Sequence, residues 1–194
     1  MQLPLISYIV TMRLMTILFL LNFSFSFGQS LNCNWATSMG GYMSDNAYSI
    51  AVGDNGNIYI SGYFSETASF DWYISNSFGF DSSIISNGYN DIFIKKLDSN
   101  GSVLWIKAMG GVFDDAAYSI AVDDNENVYT AGAYAYNVDF DPGIDTFELN
   151  SFMLSSDIFI QKLDQNGNFL WAKSIGGAAE DRAYSIALDN DGNI

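Results

Sequence analysis

Asp139, Asp141 and Asp145 stand close together in the run Asp139-Phe140-Asp141-Pro142-Gly143-Ile144-Asp145. Carboxylate oxygens gathered around a turn can hold Ca²⁺, so the three form a candidate calcium site. Aspartate also builds turns by bonding to its own backbone, and that reading stands beside the first. Seventy residues earlier the matching positions are Ser69, Asp71 and Ser75, with one carboxylate among them. Asp189-Asn190-Asp191-Gly192 is similar to the opening of an EF-hand loop, but it lies at a recurrent hairpin turn and lacks the downstream Glu.

Catalytic chemistry has little to work with. The chain has no His, so neither a Ser-His-Asp triad nor an ordinary zinc site can be assembled from it. Carboxylate pairs are everywhere among 22 acidic residues, and without separation and burial they discriminate nothing. No catalytic or cofactor-binding residue is assigned, and Ca²⁺ is the one cofactor considered.

Charge and the N-terminus bound the setting. Arg13 precedes an apolar run from Leu14 to Phe27, too short for a spanning helix, and Ser26-Phe27-Gly28 offers small residues where a signal peptidase reads. Residues 1–28 are therefore expected to be a secretory signal cleaved after Gly28, with an uncleaved anchor helix as the alternative and Met12 as a second possible start. Cleavage removes Arg13 and no acid, leaving 22 acidic and 6 basic residues, net −16. Such a chain lacks the basic patch that nucleic acid or an anionic membrane would require. The expectation is a secreted or cell-surface protein with no membrane insertion after cleavage. Cys33 is the sole cysteine, so no intrachain disulfide forms. In Leu31-Asn32-Cys33 an Asn occupies the place where a lipoprotein signal wants a small residue, which argues against lipidation.

The elements that must position these residues are written as a repeat. Ala47-Tyr48-Ser49-Ile50-Ala51-Val52 returns as Ala117-Tyr118-Ser119-Ile120-Ala121-Val122 and as Ala183-Tyr184-Ser185-Ile186-Ala187-Leu188, at spacings of 70 and 66. Before each stand a Trp and a Gly pair: Trp35 with Gly40-Gly41, Trp105 with Gly110-Gly111, Trp171 with Gly176-Gly177. Each unit reads as four strands. In the first, Tyr48 to Val52 alternates, Asp54-Asn55-Gly56 turns, and Ile58 to Tyr63 runs back; then come Ile92 to Leu97, the Asn100-Gly101 turn, and Val103 to Met109. In the second unit Glu126 replaces Gly56, and Asn125 or Asn127 is expected to take the left-handed position. Both prolines, Pro4 and Pro142, lie outside every strand. Strands are expected within 47–109 and 117–175.

Ile92 and Ile94 lie on one face of their strand, Phe93 and Leu97 on the other. A sheet that is apolar on both faces must sit between neighbours, and radial repetition of such sheets makes a β-propeller. A linear β-solenoid, the alternative stacking, uses much shorter repeats. The fold class is thus all-β: a β-propeller of four-stranded antiparallel blades. The expected order is 29–46, an N-terminal strand; 47–111, blade 1; 112–177, blade 2; 178–194, the start of blade 3. Ile194 matches Ile58 and Val128 at the start of a second strand, and rings need four to eight blades, so a truncated reading of a longer protein is expected. Trp35 to Gly41 matches a fourth strand and is expected to latch the ring by pairing with its last blade; a plain edge strand is the alternative.

The Gly pair, Asp-x-Ala-Tyr-Ser-Ile-Ala-Val-Asp, Asn-x-Tyr, Asp-Ile-Phe-Ile-x-Lys-Leu-Asp-x-Asn-Gly and Leu-Trp together resemble the SBBP β-propeller repeat of exported bacterial proteins. The resemblance covers residues 29–194, twice in full and once in part. It implies a ring of about seven blades in a secreted or surface protein, some of which use the type IX route, and it implies no single activity.

All the length variation lies between second and third strands: Gly62 to Asp91 spans 29 and Gly132 to Asp157 spans 25, while Tyr48 to Gly62 and Tyr118 to Gly132 both span 14. Loops on a fixed scaffold suit binding, and tolerated drift explains the variation equally well. Tyr-Ser-Ile-Ala and the Trp residues read as packing, with small side chains near a crowded axis and aromatic rings between blades. Two functions follow as expectations. The first is an exported, non-catalytic interaction or display module with a protein or glycan ligand, monomeric at full length. The second is part of an extracellular polysaccharide-active enzyme whose active residues lie elsewhere.

Overall fold

The computed structural model describes residues 35–70 and 83–194. The expected signal at 1–28, Cys33, Asp71 and Ser75 lie outside the described residues.

The described residues hold eleven strands and no helix. Four of the five strands of the first sheet run in the order β2 (Asn46–Val52), β3 (Ile58–Ser69), β4 (Ser83–Leu97) and β5 (Val103–Met109), each antiparallel to the next. Four more repeat it: β6 (Ala116–Val122), β7 (Val128–Ala135), β10 (Ser156–Leu163) and β11 (Phe169–Ile175). The described chain is all-β, with propeller-like antiparallel blades, and the outer limits of these two sets of four strands, Asn46 to Met109 and Ala116 to Ile175, fall within a residue of the expected 47–109 and 117–175.

Turn chemistry explains the sharp returns. Asp98 Oδ1 accepts the N–H groups of Asn100 and Ser102, and Asp164 Oδ1 accepts those of Asn166 and Asn168. Gly101 and Gly167 then take the left-handed backbone, at φ 85° and 76°. In the β6–β7 turn the expectation fails in one detail. Neither Asn125 nor Asn127 is left-handed; Glu126 is, at φ 63°. The reason lies outside the turn, in what its side chain reaches.

Both faces of β4 are buried from Asp91 to Leu97, as its alternation requires. Ile92 and Ile94 join Ala117, Ile120, Val128 and Phe159 in a core between the two sheets. Phe93 and Leu97 join Ile60, Phe64 and Phe70 on the far side, with Met39 packed against them.

The stretch between second and third strands, expected as a connection from Phe64 to Asn90, is more ordered than that. In blade 1 the strands themselves continue outward, pairing Thr67 with Ile85 and Ser69 with Ser83. In blade 2 the outer part is a separate hairpin of β8 (Asn137–Asp139) and β9 (Glu148–Asn150). The break falls at one repeat position: Glu66 at φ 55° and Tyr136 at φ 68°. Each gives its N–H to a serine hydroxyl, Ser86 at 2.9 Å and Ser151 at 2.6 Å. Polar residues and a left-handed step hide the strand character of this stretch from alternation alone.

The N-terminal piece is also corrected. Residues 35–39 lie outside strands, and β1 (Gly40–Gly41) pairs with the outer end of β3 as Gly40 with Ser69 and Gly41 with Ala68. Its placement nonetheless copies a blade end. Trp35 Nε1–H donates to Ser99 O at 3.2 Å, as Trp105 Nε1–H donates to Gln165 O at 3.1 Å in the next unit. Residues 178–194 contain no strand, yet Asp181 N–H donates to Ser156 O at 2.7 Å, as Asp115 N–H does to Asn90 O at 2.8 Å.

Candidate functional site

The inner strands β2 and β6 each contain a bulge. Ala47 opposes Gly62 and Ser49 opposes Ser61, which leaves Tyr48 as the extra residue; Ala117 with Gly132 and Ser119 with Ala131 leave Tyr118. A bulge re-aims its extra side chain. It also crowds the strand opposite, where only glycine fits: a Cβ at Gly132 would stand 1.9 Å from Ala116 O, and one at Gly62 1.8 Å from Asn46 O. The re-aimed rings form a ladder, Tyr48 to Tyr118 at 5.1 Å between centroids and Tyr118 to Tyr184 at 5.2 Å. Tyr48 and Tyr184 are 49 % and 69 % exposed. Burial, then the neighbouring Tyr63 and Tyr118, raises the Tyr48 hydroxyl pKa, and burial raises that of Tyr118.

Serine beside each ring ties the units together. Ile120 N–H donates to Ser49 Oγ at 3.3 Å, and Ile186 N–H donates to Ser119 Oγ at 3.1 Å. The packing expected of Tyr-Ser-Ile-Ala is present, but the serine is a hydrogen-bond acceptor between units as well as a small residue.

A pocket of about 180 Å³ opens beside the ladder, bordered by Tyr63, Tyr118, Asn90, Asp114, Ser156 and Arg182. Asn90 Nδ2–H donates to Asp114 Oδ1 at 2.6 Å, and Arg182 Nη2–H donates to Glu180 Oε2 at 2.8 Å. At its base lies Asp115, fully buried. Asp115 Oδ2 accepts Gly111 N–H at 2.7 Å and Oδ1 accepts Ala135 N–H at 2.8 Å. Burial pushes this carboxyl up to about 7 against those two bonds, helped by the charges of Asp91 and Asp114. Asp91, also buried, accepts Asn87 N–H at Oδ2 while Oδ1 has no partner; burial raises it to about 6. The Asp-to-glycine bond recurs as Gly41 N–H to Asp45 and Gly177 N–H to Asp181. These aspartates were visible as the repeated Asp three residues before each Tyr, but their role at the joint was not.

Two of the three candidate calcium ligands, Asp139 and Asp141, build a loop, and Asp145 is exposed. Asp139 Oδ1 accepts the N–H groups of Asp141 at 3.0 Å and Phe147 at 2.8 Å, and Asp141 Oδ1 accepts Gly143 N–H at 2.8 Å. Among the described residues no three His, Cys, Asp or Glu side chains stand together in a way that could hold a metal ion. Asp189 Oδ1 likewise accepts the N–H groups of Asp191 and Asn193 within its hairpin turn.

Comparison with known proteins places the chain only distantly. It is 27 % identical over 113 residues to the Uncharacterized WD repeat-containing protein L264 of Acanthamoeba polyphaga mimivirus, covering 52 % of this chain and 8 % of that protein. It is 26 % identical over 105 residues to the Regulatory protein FlaEY of Caulobacter vibrioides, covering 54 % of this chain and 11 % of that one. The chain thus spans about a tenth of the length of these curated relatives. Both similarities are distant, and the first is to a protein named for its WD repeats. No family model matches the sequence, so the SBBP resemblance rests on the residues quoted for it.

Proposed function

We propose that this chain is part of an exported, non-catalytic β-propeller that presents its inner rim to a protein or glycan ligand. The observation that carries the reading is the tyrosine ladder. Three repeated rings stand in line, Tyr48 and Tyr118 set by bulges, with hydrogen bonds tying each unit to the next. Rigid aromatic side chains with polar tips offer contact area at low conformational cost. Distant similarity to a WD repeat-containing protein supports a repeat-built interaction module. The leader read in residues 1–28 supports export, and the SBBP resemblance supports a secreted or surface setting. Trp35 to Gly41, seated as the end of a preceding blade, supports a ring closed by that segment.

The enzyme reading draws on one feature, the raised carboxyl of Asp115 at the pocket base. Both its oxygens already accept backbone N–H groups, and the bond to glycine recurs in every unit, which favours a structural role.

Glycan and peptide arrays probed with the full-length protein test the proposal. Saturable binding that Tyr48→Ala and Tyr184→Ala weaken tenfold or more, at unchanged melting temperature, is the expected result. Binding that ignores both substitutions, or hydrolysis of a bound polysaccharide, would overturn it.

A further inference from the structure

We infer that blade 1 carries an acceptor site for a glutamate of the blade that follows it, and that this glutamate decides which blade can follow. In each blade a lysine of the third strand sits opposite a tyrosine of the second: Lys96 with Tyr59, Lys162 with Tyr129. The ammonium lies over the ring, 4.9 Å from its centroid in blade 1 and 4.6 Å in blade 2. Lys96 is buried, and a buried ammonium requires a counter-charge.

The two blades find that charge in different places. Blade 2 uses its own Asp123, whose Oδ2 stands 3.5 Å from Lys162 Nζ and accepts the Tyr129 hydroxyl at 3.1 Å. The matching position in blade 1 is Gly53, which has no side chain to offer. There the carboxylate crosses from blade 2. Glu126 Oε2 stands 3.5 Å from Lys96 Nζ and accepts hydrogen bonds from the Tyr59 hydroxyl and, at 3.2 Å, from Asn57 Nδ2. A Cβ at Gly53 would lie 2.1 Å from Glu126 Oε1, so the glycine supplies the room that the glutamate fills. Burial pushes the Glu126 carboxyl up, but the Tyr59 and Asn57 bonds and the Lys96 charge outweigh it, and the net shift is downward.

The glutamate is held at a backbone cost. Its φ of 63° is where the corresponding turns use glycine, Gly56 at 82° and Gly192 at 80°. The exchange is therefore reciprocal. One joint pairs Gly53 with Glu126, and the next pairs Asp123 with Gly192. A glycine-turn blade set after blade 1 leaves Lys96 and Tyr59 without a carboxylate; a glutamate-turn blade set after blade 2 brings a second carboxylate beside Asp123. In a chain of near-identical units, penalising the wrong neighbour is how order is specified.

Moving the carboxylate tests the inference, with denaturant midpoint and soluble yield read on the full-length protein. Gly53→Asp and Glu126→Gly each lower both; together they rebuild the blade 2 arrangement and return both to wild-type values. Glu126→Gln, which keeps the shape and removes the charge, lowers the midpoint, and Lys96→Met added to it recovers most of the loss. A double variant as poor as the sum of its singles, or singles without effect, would overturn the inference.

Discussion

Ser49 and Ile120 meet across two blades: the hydroxyl oxygen of one accepts the backbone N–H of the other at 3.3 Å. The same bond, at 3.1 Å, joins Ser119 to Ile186. A repeated side chain thus satisfies a backbone group that the strand's own ladder leaves over, and it sets the spacing of the tyrosine rings beside it. Ser119→Ala removes the acceptor and leaves Ile186 N–H to find another. The expected loss is about 1 kcal/mol in equilibrium denaturation, with the fold retained. An unchanged midpoint would show that the bond contributes nothing.

Acidity should stabilise the blades. The Asp91 carboxyl, ordinarily near 3.8, is raised by burial to about 6 in the folded chain. Its share of stability is therefore complete below about pH 4 and is lost as pH rises through 6, a fall of up to roughly 3 kcal/mol by linkage. Asp115, at about 7, extends the same trend upward. Asp91→Asn should make the descent of melting temperature between pH 4 and 6 shallower and leave the share that Asp115 contributes up to about pH 7. A melting temperature that rises over this range would contradict the assignment.

The glycines divide into those with room and those without. Gly132→Ala drives a Cβ into Ala116 O, held by the bulged strand, and into the buried Phe159 ring, and should cost about 3 kcal/mol or more. At Gly143 a Cβ would meet only the end of the Asp141 side chain, 2.9 Å away and able to swing aside, so Gly143→Ala should cost about 1 kcal/mol or less. Paired thermal melts of the two variants check the contrast.

The four main strands of each blade and their order were legible because β-branched and aromatic runs alternate between Asn-Gly and Asp-Asn-Gly turns, as in Ile92 to Leu97 and Val103 to Met109. Both faces of β4 sorted as its alternation required, with Ile92 and Phe93 in opposite cores. The rest depends on partners distant in sequence. Glu126 reads as a damaged turn until Gly53, Tyr59 and Lys96 are seen around it. Tyr48 reads as an ordinary strand residue because a bulge is a property of a pair of strands. The outward extension past Phe64 was hidden by Glu66, a residue type that seldom takes a left-handed backbone.

Calcium separates the two readings of Asp139, Asp141 and Asp145. The Asp139 and Asp141 carboxylates cap loop N–H groups, so Asp141→Ala should lower the melting temperature, with equal heats from both proteins when calcium is titrated calorimetrically. A calcium heat present in the wild type and absent from the variant would favour the metal site.

The central claim is that each blade needs a neighbour on both faces, and blade 1 offers the most direct test. Ile50 is 65 % exposed, whereas its repeat partner Ile120, covered by blade 1, is 6 % exposed. Val52 beside it is also exposed. Such an apolar strand face drives association when left open. Size-exclusion chromatography with light scattering, followed by a thermal melt, should show residues 29–194 self-associating and melting without cooperativity. Ile50→Asp with Val52→Asp should reduce the association, and the full-length protein should run as a monomer. A monomeric, cooperative melt from residues 29–194 alone would contradict the account.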